Sequence, residues 1–204
     1  MMRIPTANLI LLRTALRLPL WLLYPALILV GMRYLSPRYM GLAFLSMACL
    51  HRFVLSGSTG LFKRFSTGDW LAFAAVAASS SLAALSDNET VLRCHPAVVN
   101  FVLLTVFAST LRRPPSMIER FARLSQSELT PAAIDYTRNV TRIWCVFLAL
   151  NAAVALYTAF WTSRETWALY NGGLAYGLVG LLMAGEFIWR HMFVLPRAER
   201  VKRC

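Results

Sequence analysis

Acidic residues are scarce in this chain. Asp and Glu number nine against 21 Lys and Arg, which leaves a formal net charge of +12. Charge of any sign is thin, because 15% of residues are charged while 58% are hydrophobic. A water-soluble domain of that balance would expose large apolar patches, so the composition points to a multi-pass membrane protein. Histidine is limited to His51, His95 and His191. None forms a metal-ligand spacing with another, and none is followed four or five residues on by an acid in an acyltransferase-like pattern. The four cysteines, Cys49, Cys94, Cys145 and Cys204, form no CxxC and no Cys/His pair. Neither a disulfide framework nor a metal site is expected. A Gly-rich phosphate loop and an Asp cluster for metal-dependent phosphotransfer are also missing. These gaps weaken the enzyme classes, and no cofactor is expected. The basic residues sit between apolar runs. That assigns them to anionic lipid headgroups and to topology, not to nucleic acid.

A bilayer core of about 30 Å takes about 20 apolar helical residues. Six candidate spans are present, roughly Leu18–Leu35, Tyr39–Leu55, Trp70–Ser86, His95–Leu111, Ile143–Trp161 and Trp167–Phe187. The expected fold is an all-α, polytopic bundle forming a single membrane domain over 1–204, with a short interfacial helix. The second span is interrupted near its end by His51 and Arg52. The third is rich in Ala and Ser, and Ala75, Ser79 and Ala83 recur at helical spacing, which suits a helix packed among others. With residues 1–17 placed in the cytoplasm, seventeen Lys and Arg fall on the cytoplasmic side. Only Arg33, Arg38, Arg93 and Arg164 fall on the other. The positive-inside rule then places both termini in the cytoplasm, including the basic tail 191–204. The N-terminal run has no small-x-small cleavage site after it and reads as an uncleaved first helix.

The longest connection, 112–142, is cytoplasmic in this topology. Pro114 and Pro115 end the fourth span, and Ser116 with Glu119 makes a capping box. In the helix that follows, Met117, Ile118, Phe121 and Leu124 share a face, with Arg120 and Arg123 off it. That is the pattern of a helix lying in the headgroup plane. Thr130 and Pro131 read as N-cap and first position of another helix, which continues through Tyr136, Arg138 and Arg142 into the fifth span.

Glu186 is an acid inside an apolar segment, and intramembrane ionisable groups are candidate sites by default. Arg190 follows at i+4 in the favourable order. Arg142 is expected at similar depth, Arg120 is an alternative partner, and with Glu119 these five residues form the candidate ion-pair site. One reading is an interfacial pair that fixes the helix in depth and rotation; the other is a functional carboxylate in a pocket. On the same helix, Gly173, Gly177, Gly180 and Ala184 present small residues four apart for close helix packing, with homodimerisation as the alternative. Asn100, Tyr157 and Asn171 are expected together as a polar cluster in the outer half.

Several stretches carry a resemblance. They are LYPALILVGMRYLSPRYMGLAFL (23–45), HPAVVNFVLL (95–104), LRRPPSMIERFARL (111–124), YTRNVTRIWCVFLALN (136–151) and WALYNGGLAYGLVGLLMAGEFIWR (167–190). They resemble a family of small bacterial inner-membrane proteins encoded with aryl-polyene, xanthomonadin-type pigment biosynthesis genes. The family has no established catalytic residues. The resemblance implies a context in which acyl-carrier-bound polyene chains are made in the cytoplasm, joined to a lipid-like head and moved outward. The expectation is a non-enzymatic docking or handling component of that assembly, in the inner membrane. Its expected partners are anionic lipids and, on its cationic face, an acyl carrier protein or another pigment-biosynthesis enzyme. The rivals are a membrane enzyme using Glu186 as acid or base, and a small transporter subunit.

Overall fold

The computed structural model describes residues 24–50, 67–125 and 128–194. Among them every regular element is helical. Helix α1 covers 24–34 and α2 Pro37–Cys49. Then come α3 (Thr67–Ser86), α4 (Glu89–Arg112), α5 (Met117–Ser125) and α6 (Pro131–Trp161). A last rod joins α7 (Arg164–Leu169), a π-helical turn (Tyr170–Leu174), α8 (Ala175–Trp189) and a second π-helical turn (Arg190–Val194). The start of the first expected span and the end of the second lie outside the described residues. So do the segment 1–17 and the last ten residues of the tail.

Local chemistry explains the breaks. Ser36 and Pro37 end α1 and open α2, because proline supplies a helical φ and needs no backbone partner at the first position. The next free N–H, that of Arg38, donates to Asp87 Oδ1 at 2.8 Å, so the α3–α4 corner caps α2 from a distance. Asp87 itself turns the chain with φ 47°, a left-handed conformation that Asp tolerates better than most residues. Asn88 then caps α4 by accepting from Thr90 N at 2.8 Å. Thr130 caps α6 by accepting from Ala133 N at 3.3 Å, with Pro131 at the first helical position.

Among the described residues three helices are long and apolar enough to cross a membrane: Glu89–Arg112, Pro131–Trp161 and Arg164–Met192. Trp70–Ser86, within α3, is a shorter apolar helix. At 1.5 Å per residue, the 31 residues of α6 run about 46 Å, well beyond a hydrocarbon core of about 30 Å. The surplus is the polar start of the helix, which holds Asp135, Arg138, Asn139 and Arg142.

The packing has the inverted character of a membrane bundle. The buried face of α6 is mostly small or hydroxylic: Thr137, Thr141, Ala152, Ala155, Thr158 and Ala159. Large apolar residues point out, among them Leu150, Leu181 and Ile188. Burying small residues lets helices approach closely, while outward Leu and Ile suit a lipid surround. α4 lies along α6, and α3 packs between α2 and α4. The α2–α3 approach is tight at Gly41, where a Cβ would come within 2.6 Å of the Ala84 backbone nitrogen. An apolar core joins Ile28, Met32, Met40, Phe44, Leu92 and Trp167. It sits at the end of the bundle holding the α3–α4 and α6–α7 corners. The opposite, basic end carries α5 and the charged start of α6.

Candidate functional site

At the basic end a groove of about 610 Å³ runs between α5, α6 and α8. Ligand pockets typically enclose about 300–1,000 Å³, so it is large enough for a small molecule or one hydrocarbon chain. Its walls come from three periodic faces. Ala133, Tyr136, Thr137, Val140 and Trp144 line it from α6; Ile118, Phe121 and Ala122 from α5; Met183, Phe187, Glu186 and Arg190 from α8 and the turn after it.

α5 is fastened to the bundle by its first turn. Met117 N donates to Thr110 Oγ1 of α4 at 2.9 Å, and Ile118 N to Thr141 Oγ1 of α6 at 3.3 Å. Neighbouring helices thus supply acceptors that a free helix start lacks. Ser116 N donates to Glu119 Oε2 at 3.2 Å, which is one half of the expected capping box. The Ser116 hydroxyl, buried, has no hydrogen-bond partner among the described residues.

Glu186 opens onto the groove. Its Oε1 accepts from the Tyr136 hydroxyl at 3.3 Å and lies 3.6 Å from Arg190 Nε. The Arg190 guanidinium also stands over the Phe187 ring, 5.8 Å from its centroid, within cation–π range. Of the five residues expected together, the structure joins Glu186 and Arg190 only. Arg142 instead donates to Asn139 Oδ1 at 2.7 Å, and Arg120 to the Pro115 carbonyl at 3.1 Å. Helical rotation is the reason. Arg142 lies two residues beyond Val140 and Arg120 two beyond Ile118, and residues two apart do not share a face. Glu119 is also separate: it is buried, and its Oε1 receives Arg123 Nε at 3.0 Å and Nη2 at 2.7 Å. The groove partner missed in the sequence is Tyr136. Its signal was available, as a phenol on the same 3.6-residue stripe as Ala133, Val140 and Trp144.

The expected outer polar cluster divides. Asn100 Oδ1 accepts from Asn151 Nδ2 at 3.0 Å, and Asn151 Oδ1 accepts from the Tyr170 hydroxyl at 2.7 Å. Asn171 is a turn away, donating to Thr158 Oγ1 at 3.2 Å and to the Trp167 carbonyl at 3.0 Å. Tyr157 joins neither; it is exposed and stacks on Trp161. It lies off the stripe of Asn151, Ala155 and Thr158 that faces the bundle. The small-residue series behaves differently from expectation too. A Cβ at Gly173, Gly177 or Gly180 would meet nothing within 4 Å, and Ala184 lines the groove. At these three glycines no other described helix comes within contact distance. The glycine that does permit close approach is Gly172, where a Cβ would come within 2.7 Å of Leu29.

At the far end of the bundle lies a polar network that sequence reading passed over. Glu89 pairs with Arg93 at 3.1 Å and with Arg164, whose Nε donates to Glu89 Oε1 at 3.1 Å. Arg164 Nη1 also donates to the Met32 carbonyl at 3.0 Å, tying α7 to α1. Arg93 Nη1 donates to the Thr162 carbonyl at 3.1 Å and the Ala159 carbonyl at 3.4 Å, which satisfies the open end of α6. Trp167, fully buried, donates from Nε1 to the Arg93 carbonyl at 3.0 Å. The i,i+4 spacing of Glu89 and Arg93 was the legible hint. A second cavity of about 410 Å³ opens beside this network, between Leu29, Met32 and Arg33 of α1 and Arg164, Glu165, Ala168 and Leu169 of α7. His95 is buried beneath Phe44, with ring centroids 4.7 Å apart, and its Nδ1 lies 2.9 Å from Ser79 Oγ.

Chemically, the groove offers one carboxylate, one guanidinium and one phenol over apolar walls. Its other hydroxyl, on Thr137, is occupied with the Ile134 carbonyl at 2.9 Å. Among the described residues no three of His, Cys, Asp and Glu come together. Comparison with protein-family models, with curated proteins and with solved structures yields no match.

Proposed function

We propose that this is an inner-membrane protein with six spans and cytoplasmic termini, which holds a single amphipathic chain in the groove between α5, α6 and α8. It acts as a non-enzymatic handling component in assembly or export of a lipid-like molecule. The resemblance in residues 23–45, 95–104, 111–124, 136–151 and 167–190 makes an aryl-polyene pigment the proposed cargo. The observation that carries the reading is the groove itself, about 610 Å³ with mainly apolar walls and one polar corner at Glu186. The many arginines of segment 112–142, including Arg112, Arg113, Arg120, Arg138 and Arg142, support a cytoplasmic face that meets anionic lipid or an acidic carrier protein. The test is deletion of the gene with mass spectrometry of accumulated intermediates, complemented by wild type and by Ala133→Trp, which fills the groove. A handling role requires lipid-linked or carrier-linked polyene to accumulate in both the deletion and the filled variant. Unchanged pigment in the deletion removes the reading.

A membrane enzyme is the second reading, favoured by the opening of Glu186 onto a substrate-sized cavity. It requires a folded Glu186→Gln protein to be fully inactive and to accumulate one chemically unmodified precursor. The handling reading requires that variant to retain pigment formation.

A further inference from the structure

The cavity between α1 and α7 carries charges that the Glu89 network leaves unused. Arg164 lines it, and its guanidinium is held by Glu89 and the Met32 carbonyl, with one N–H left over on each terminal nitrogen. Arg33, on the last turn of α1, lines the same cavity, is exposed, and makes no hydrogen bond or salt bridge among the described residues. Glu165, exposed on α7, is the cavity's acid and forms no salt bridge among the described residues. A cation and an anion thus line one cavity without meeting each other.

The cavity lies at headgroup depth. Arg164 begins the apolar rod Arg164–Met192, which is long enough to cross a membrane. Trp161 and Tyr157, exposed and stacked, come just before it, as aromatic residues do at membrane edges. Leu29 and Leu169 also line the cavity and are 42% and 58% exposed, so its apolar side is open to lipid chains.

We propose that this cavity seats the headgroup of one phosphatidylethanolamine molecule of the membrane. Its phosphate lies against Arg33 and the spare N–H groups of Arg164, its ammonium meets Glu165, and its acyl chains leave past Leu29 and Leu169. The site is separate from the groove at the basic end and does not depend on it. Charge selects the head. Arg33 adds to a local surplus of cations, because Arg93 and Arg164 share the single carboxylate of Glu89. That surplus suits a phosphate. A phosphatidylglycerol head leaves Glu165 unmatched beside its own negative charge. A phosphatidylcholine head brings a cation with no N–H to donate to the carboxylate. Of the three, the ethanolamine head alone supplies both the anion and the N–H donor.

Native mass spectrometry of the full-length protein in detergent tests this. Phosphatidylethanolamine, phosphatidylcholine and phosphatidylglycerol of identical chains are added in equal amounts. Phosphatidylethanolamine should bind about threefold to fivefold better than phosphatidylcholine, the range that a partly exposed charge pair gives. Glu165→Gln should bring phosphatidylethanolamine down to the level of phosphatidylcholine and leave the latter unchanged. Arg33→Gln should weaken both by a similar factor. Both substituted side chains are exposed, so both variants should melt with the wild type. Chainless glycerophosphoethanolamine at the same concentration should not displace the lipid. Displacement by it reassigns the site to a soluble headgroup and overturns the lipid. Equal binding of phosphatidylethanolamine and phosphatidylcholine to the wild type overturns the proposal without any variant. So does a preference that survives Glu165→Gln, or a phosphatidylglycerol preference that Arg33→Gln removes.

Discussion

The Tyr136 hydroxyl donates to Glu186 Oε1 across 3.3 Å, linking two helices fifty residues apart in sequence. The bond gives a carboxylate in an apolar segment a hydrogen-bond donor, with Arg190 alongside as counter-charge. It also fixes the rotation of α8 against α6, because both side chains must turn into the same groove.

Loss of that bond should be measurable and modest. Side-chain hydrogen bonds between membrane helices contribute about 0.6 kcal/mol on average, rarely above about 1.7. Tyr136→Phe should lower the melting temperature in detergent by a few degrees. Glu186→Gln should reduce protein level or melting temperature while the surviving protein still supports pigment formation. Normal protein level with complete loss of pigment would reject the anchoring role and promote the enzyme reading.

The network at the other end of the bundle should matter more for stability. Arg93 closes two carbonyls at the end of α6 and pairs with Glu89. Arg93→Met leaves those acceptors and the carboxylate short of partners, which should cost about 2 kcal/mol. Arg33→Met, at an exposed position, serves as the control and should stay within about 0.5 kcal/mol of wild type. Thermal unfolding of both variants in the same detergent compares them directly, and equal loss would refute the assignment of Arg93 as a structural clamp.

Glycines on opposite sides of the bundle should answer differently to alanine. At Gly41 the new methyl collides with backbone at Ala84 and Ser80, which cannot rotate away. Overpacking of this kind costs about 1–3 kcal/mol. At Gly177 the methyl meets nothing within 4 Å, and alanine favours the helix. Gly177→Ala should therefore be neutral or slightly stabilising. Should it instead damage the protein as much as Gly41→Ala, the face of Gly173, Gly177 and Gly180 is covered by something outside the described helices.

The proposed sidedness rests on the distribution of arginine and is tested by fusion. Reporters joined at residue 90 and after residue 195 should report opposite sides of the membrane. The same side for both refutes the six-span topology.

The all-α character of the described residues and several helix starts were readable because they depend on local chemistry. Thr130-Pro131 initiates a helix whatever surrounds it, and the long apolar pattern after Ile143 carries that helix onward. The amphipathic face of α5 was legible for the same reason, since Ile118 and Phe121 repeat at helical spacing. Likewise the Glu186–Arg190 pair follows from i,i+4 geometry on one helix. Contacts between helices were not legible. Arg142 and Arg120 were both expected as partners of Glu186, and depth alone does not choose between them and Tyr136. The choice depends on how far each helix is rotated about its axis. That rotation is decided by the packing of small faces: Ala152, Ala155 and Ala159 on α6, and Gly172 against Leu29. Once those faces meet, Tyr136 turns into the groove and Arg142 turns out. Sequence by itself determined the apolar helices, the basic end and the isolated acid. Only the tertiary structure decided which side chains face that acid, because inter-helix rotation is a collective result of packing and no single segment encodes it.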